Sequence, residues 1–206
     1  RLRPDRAEEK YQFISNNDES LKRIAFDLEG MRDFTIEGAG TKLLFSGFIS
    51  PFNLERCRNV TIRDLSIDYT RTFHSEGIVR AAGPGWLDVE FPGEYVCDLS
   101  DGCLRFLDDE GTAYPFSSLL EFDAVKREPD DYWLAKHTIV ARQQPGGLVR
   151  IFRDDLKAGI GNIMVFGAAR RLNPGFTISD SEGIAIRDVN LYHCGGMGVI
   201  AQRSRD

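Results

Sequence analysis

Arg58-Asn59-Val60-Thr61-Ile62-Arg63-Asp64-Leu65-Ser66-Ile67-Asp68-Tyr69 is the stretch whose reading decides the fold. Val60 and Ile62, then Leu65 and Ile67, are apolar, while Thr61, Arg63, Ser66 and Asp68 between them are polar. That period of two belongs to strands with one buried face. Arg63-Asp64 interrupts the alternation, which predicts a short strand, a corner and a second strand. The same grammar recurs in Arg32-Asp33-Phe34-Thr35-Ile36-Glu37-Gly38 and in Glu182-Gly183-Ile184-Ala185-Ile186-Arg187-Asp188. Phe34 and Val60 are 26 positions apart, a spacing that suits one coil of a β-solenoid, for which roughly 20–30 residues suffice. Each repeat then supplies one rung of a parallel β-helix, and no rung buries its inner face without neighbours above and below.

Val60 and Ile184 are 124 positions apart, too far for one coil, and the composition changes near Glu76-Gly77 and again near Lys157-Gly159. An insertion accounts for both. Residues 1–76 read as the first rungs, 77–157 as an inserted antiparallel β module, and 158–206 as the parallel β-helix resumed. Within the insertion, Gly77-Ile78-Val79-Arg80 and Val89-Glu90-Phe91 flank Gly83-Pro84-Gly85. Cys103-Leu104-Arg105-Phe106-Leu107 precedes a turn at Asp108-Asp109-Glu110-Gly111. His137-Thr138-Ile139-Val140 and Leu148-Val149-Arg150-Ile151-Phe152 flank Gln144-Pro145-Gly146-Gly147, the turn chemistry of β-hairpins. Ile163-Met164-Val165-Phe166, Phe176-Thr177-Ile178 and Ile184-Ala185-Ile186 read as strands of the resumed stack. The nearest thing to a helix, Ser117 to Lys126, reads equally well as an irregular loop.

Composition agrees with an all-β chain. The 206 residues are 42% hydrophobic and 28% charged, enough to bury a core and too apolar for a disordered segment. Its 20 glycines and 14 phenylalanines favour tight turns and strands. A net charge of −6, with Arg and Asp mixed throughout, lacks the basic clustering a nucleic-acid partner needs. The longest apolar stretches, such as Ile160 to Ala169, fall well short of the roughly 20 residues that span a bilayer, so no membrane span is expected. Cys57, Cys97, Cys103 and Cys194 lack paired zinc spacing and read as free thiols, with a local Cys97–Cys103 disulfide left open. Three dispersed histidines add no metal set, and no GxGxxG or Walker pattern occurs, so neither metal nor cofactor is expected. The chain opens at Arg1 without Met or signal peptide and stops at Asp206 inside a periodic pattern, and is therefore read as a fragment.

Several segments together are more specific than the repeats: Phe13-Ile14-Ser15-Asn16-Asn17-Asp18, Phe48-Ile49-Ser50-Pro51-Phe52, Asn59 to Tyr69, and Phe73-His74-Ser75-Glu76-Gly77. Asn173-Pro174-Gly175-Phe176-Thr177-Ile178 and Tyr192-His193-Cys194-Gly195-Gly196-Met197-Gly198 complete the set. In this order, over nearly the whole chain, they resemble glycoside hydrolase family 110. The resemblance implies a right-handed parallel β-helix interrupted by a β-barrel-like insertion. It implies an exo-acting, metal-free α-1,3-galactosidase that removes terminal galactose from blood-group-B-type or linear Gal-α-1,3-Gal structures with inversion. The family's catalytic aspartates are expected on later rungs, in Ala-Asp-Ala-Thr and Asp-Asp-Ala-Thr-Asn type segments. Neither segment occurs before Asp206, so this chain is expected to be an inactive N-terminal fragment of such an enzyme. Its partner would be an oligosaccharide or glycoconjugate with terminal α-galactose, and its location secreted or periplasmic. A homo-oligomer is compatible with the sequence.

Among residues able to contact a sugar, Asp68 faces outward where the solenoid gives way to the insertion, and Arg71-Thr72-Phe73-His74-Ser75-Glu76-Gly77 follows it. Arg71, His74 and Glu76 could hydrogen-bond pyranose hydroxyls while Tyr69 or Phe73 packs on the ring, or could simply fix the corner. His193, beside glycines that permit a tight bend, could lie on the same wall as Asp68, or be a packed corner histidine. His137 reads as packing in a strand. Asp108-Asp109-Glu110, Asp130-Asp131 and Asp154-Asp155 sit beside turn signals and read as solvated turns. Two other classes compete with the hydrolase. One is a glycan-binding solenoid without catalysis; the other is a pectinase- or lyase-like β-helix, which shares the fold but not the site.

Overall fold

Alternating residues between Ser20 and Tyr69 build strands that pair in parallel with residues farther along the chain, Ile24 with Ser50 and Phe34 with Val60. The computed structural model describes residues 1–14, 20–108, 110–135, 138–169 and 172–206, so His137 and parts of two quoted segments lie outside the described residues. The strands are β1 (Glu8–Gln12), β2 (Ser20–Glu29), β3 (Arg32–Phe45), β4 (Ser50–Glu55) and β5 (Arg58–Tyr69). They continue as β6 (Ser75–Gly83), β7 (Trp86–Glu90), β8 (Val96–Asp98), β9 (Arg105–Leu107), β10 (Phe116–Asp123) and β11 (Glu128–Leu134). The last are β12 (Val140–Gln143), β13 (Val149–Phe152), β14 (Ile163–Ala168), β15 (Phe176–Ser179), β16 (Glu182–Leu191) and β17 (Val199–Gln202). The only helical segments among the described residues are two short 3-10 turns, so the protein is all-β.

Two units divide the chain: Arg1–Thr72 with Arg170–Asp206, and Phe73–Ala169. In the first, β2, β4, β15 and β17 pair in parallel, and β3, β5 and β16 form a second parallel sheet. Strands β2, β4 and β15 of the one sheet are each followed in the chain by a strand of the other, β3, β5 and β16. Between them the backbone turns in the left-handed region at stacked positions: Gly30, Arg56, Asp180 and Arg203 at one corner, Asp33, Asn59 and Gly183 at the next. Five of these seven are Gly, Asn or Asp, the types that tolerate that conformation best, and Arg56 and Arg203 are the exceptions.

Stacking in register carries the energetics. Phe26, Phe52 and Phe176 pair directly, with ring centroids 4.7 and 5.0 Å apart and nearly parallel planes. Val60, Ile62 and Ile67 are wholly buried, as the alternation predicts. On the other face of the first sheet, Asp27, Asn53 and Thr177 form a polar column at one register. The antiparallel strand β1 supplies the Gln12 amide, which donates to Asn53 Oδ1 at 2.6 Å and Thr177 Oγ1 at 2.8 Å. Lys10 reaches Glu55 at 2.7 Å, Glu29 at 3.1 Å and Asp27 at 3.3 Å. Burial lowers the Lys10 pKa, but these carboxylates outweigh it and hold the ammonium above its usual range.

The second unit is a seven-stranded antiparallel sheet ordered β11-β10-β14-β6-β7-β13-β12, beside the small pair β8-β9. The β6-β7 and β12-β13 hairpins stand where the turn residues predicted them. Three readings are corrected. Ile163–Ala168, read as resumed solenoid, pairs antiparallel with β10 and β6, because its alternating face packs with Phe91, Phe106 and Phe116 around Phe166. Ser117 to Lys126 is largely strand β10 and not a helix or loop. Asp108 is buried and not solvated, accepting the Glu110 and Thr112 backbone N–H groups at 2.9 Å each, while Asp130 and Asp131 lie in strand β11. All four cysteines are free thiols.

Candidate functional site

Register places the candidate site. Strand β5 lies between β3 and β16, with Lys42 and Asn190 both opposite Ser66, and Leu44 opposite Asp68. Lys42, Ser66, Asp68 and Asn190 therefore share the face opposite to Val60, Ile62, Leu65 and Ile67. At the end of β16 the Tyr192 N–H donates to the Ile67 carbonyl, and His193 then adopts a left-handed backbone, φ 52°. That bend brings its ring back onto Asp68.

Asp68 is the hub. His193 Nδ1 lies 2.9 Å from Oδ1, which also accepts the Tyr69 N–H at 2.8 Å, and Lys42 Nζ lies 2.8 Å from Oδ2. Its side chain is 16% exposed, against 51% for His193 and 59% for Lys42. Burial alone raises the Asp68 pKa, but the hydrogen bonds from Lys42, His193 and the Tyr69 backbone outweigh it and hold the carboxyl below its usual range. It is a fixed carboxylate. Tyr192 stands exposed next to His193, ring centroids 6.4 Å apart. Hydroxyl, amide, ammonium, imidazole and an exposed aromatic thus meet on one surface, the mix of donors, acceptors and apolar ring that a pyranose requires.

The other candidates are placed differently. Arg71 is buried, and its Nε donates to the Thr72 carbonyl at 3.1 Å. His74 and Glu76 belong to the second unit: His74 Nδ1 accepts the Ala168 N–H at 2.9 Å, and Glu76 is exposed opposite Val165 on β14. Tyr69 and Phe73 do not offer the ring face expected of them. Both are buried, Tyr69 donating its hydroxyl to the Ile49 carbonyl at 2.8 Å and Phe73 packing against Tyr114. The exposed aromatic is Tyr192 instead. Reading the sequence alone missed Lys42, Ser66 and Asn190 as well. The signal for Tyr192 was its place beside His193; for the other three it lay only in aligning the repeats.

No family model matches the chain. Curated relatives do, over almost its whole length. Alpha-1,3-galactosidase A of Shewanella woodyi is 27% identical over 205 residues, 96% of this chain and 34% of that protein. Alpha-1,3-galactosidase B of Bacteroides thetaiotaomicron is 26% identical over 97% of this chain and 34% of its own length. Alpha-1,3-galactosidase B of Akkermansia muciniphila is 25% identical over 94% of this chain and 25% of its own. The resemblance carried by the motifs therefore stands, and the chain spans about a third of the length of the first two relatives.

Proposed function

We propose that this chain is part of an exo-acting glycoside hydrolase that removes terminal α-1,3-linked galactose, from blood-group-B-type or linear Gal-α-1,3-Gal structures, with inversion. The observation that carries this reading is the similarity to alpha-1,3-galactosidases along 96% of the chain. The parallel coils of the first unit and the antiparallel second unit support a right-handed parallel β-helix with an inserted barrel-like module. Substrate contacts fall to Asp68 and His193 in the first unit, while Arg71, His74 and Glu76 are left to packing and to the second unit, and the enzyme works outside the cytoplasm, secreted or periplasmic, where such glycans are met.

Asp68 serves binding and not proton donation. An inverting glycosidase needs one carboxyl kept protonated to donate to the leaving oxygen and a second to activate water, roughly 6.5–9.5 Å apart. A carboxylate held ionised by Lys42 and His193 is unsuited to the first task, and its oxygens are already engaged. The catalytic pair is proposed to belong to the two thirds of the relatives' length that these 206 residues do not span. The test is hydrolysis of Gal-α-1,3-Gal by the protein extended to the length of its relatives, beside the 206-residue chain, with the released anomer followed by NMR. β-Galactose appearing first, from the longer protein only, is expected. α-Galactose first, or no hydrolysis by the longer protein, overturns the reading.

A further inference from the structure

We infer that Lys42, Asp68 and His193 form an oriented-histidine site whose other ring nitrogen, Nε2 of His193, accepts a hydrogen bond from a hydroxyl of a bound pyranose, with Tyr192 beside it and Ser66 and Asn190 along the same face. The inference deepens the galactosidase reading and rests on it for the sugar class.

An ionised carboxylate only accepts hydrogen bonds, so the contact of 2.9 Å between His193 Nδ1 and Asp68 Oδ1 requires the proton on Nδ1. A neutral imidazole carries one proton, and Nε2 is then the basic, accepting nitrogen. Lys42 secures the arrangement from the other side: its ammonium on Oδ2 keeps the carboxyl ionised and stops it rotating away from the histidine. Lys42 is thus a positioning residue, acting through Asp68. The left-handed backbone at His193 and the Tyr192 N–H bond to Ile67 fix where the ring emerges, and the ring is half exposed. Around it Ser66 and Asn190, whose side chains lie 3.5 Å apart, offer hydroxyl and amide groups, and Tyr192 offers an exposed ring edge or face. A sugar presents several hydroxyls about one apolar patch of C–H groups, which is the complement of this surface.

The experiment is ¹⁵N NMR of histidine in the 206-residue chain, titrated with Gal-α-1,3-Gal, beside K42M and H193A, with thermal melting of each. The expected result is an Nδ1–H tautomer for His193, an Nε2 resonance that moves on adding disaccharide, and binding weakened about tenfold in H193A, the loss of roughly one hydrogen bond. K42M is expected to weaken binding about threefold and shift the tautomer balance, with melting close to that of the parent. An Nε2–H tautomer, or disaccharide binding that leaves His193 unmoved, overturns the inference, as does absence of binding. Hydrolysis by the longer protein with no response at His193 sinks the inference and leaves the galactosidase reading standing. A response at His193 with no hydrolysis by the longer protein does the reverse.

Discussion

The imidazole of His193 and the carboxylate of Asp68 lie 2.9 Å apart although 125 positions separate them in the chain. Strand β16 stacks on β5 in parallel, Leu191 opposite Ile67, so His193, two residues past the end of β16, meets Asp68 near the end of β5. With Lys42 on β3, the candidate site joins three chain segments and not one motif, and the contact has consequences for stability in acid.

The Asp68 carboxyl sits below its ordinary value of 3.8, with burial opposing the shift and the Lys42, His193 and Tyr69 hydrogen bonds overriding it. A group whose folded pKa is lower than its unfolded one adds stability that is fully present above the unfolded value and lost as pH falls through the folded value. At neutral pH, D68N is expected to cost about 1–2 kcal/mol, the worth of charge-assisted hydrogen bonds. The gap between parent and variant, read from urea unfolding at a series of pH values, should be constant above about pH 5 and close progressively below about pH 4. A gap that does not narrow in acid would show that the cost comes from packing and not from ionisation.

Phe52 is the middle ring of the Phe26, Phe52, Phe176 column and is wholly buried. Truncation to alanine removes contacts to both neighbours and leaves a cavity, so F52A is expected to lose about 3–5 kcal/mol. Phe26, at one end of the column and only partly buried, should cost less when truncated. Equal losses at the two positions in denaturant titration would contradict the stacked-column account.

Asn53 is buried at the centre of the polar column, accepting from Gln12 and Thr177 and donating to Asp27 Oδ1 at 2.5 Å. N53L has similar volume but strands those partners without water. The expected loss is about 2–4 kcal/mol, the cost of unpaired buried polar groups. A melting temperature unchanged from the parent would mean that β1 does not seal the column in solution.

Gly175 lies where β15 begins, and a Cβ there would come within 2.7 Å of the Gly198 carbonyl oxygen and 2.5 Å of Leu191 Cδ2. Leu191 can yield; the backbone of the next coil cannot. G175A is expected to destabilise by about 1–3 kcal/mol through overpacking. Because the clash pushes on the coil that carries His193, the Asp68 contact should loosen as well, visible as a changed His193 resonance.

Much of this was legible in the residues. The alternation from Val60 to Ile67 and its recurrence near Phe34 and Ile184 specify strands and their faces, because side chains in a strand alternate regardless of what lies far away. The segments from Phe48 to Phe52 and from Tyr192 to Gly198 were among those that carried the resemblance. Phe166 shows where such reading stops: short apolar strands look alike whether their partner is parallel or antiparallel, and only packing with Phe106 and Phe116 placed it in the second unit. Tyr69 and Tyr192 make the same point at the site. Both precede a polar or bent segment, yet one ring is buried against Phe45 and the other exposed. Local pattern thus determined the all-β class, the strand faces and the turn residues. The meeting of Lys42, Asp68 and His193 was decided by tertiary structure, because register between distant coils is set by the summed packing of the apolar columns and corners and not by any one residue's neighbours in sequence.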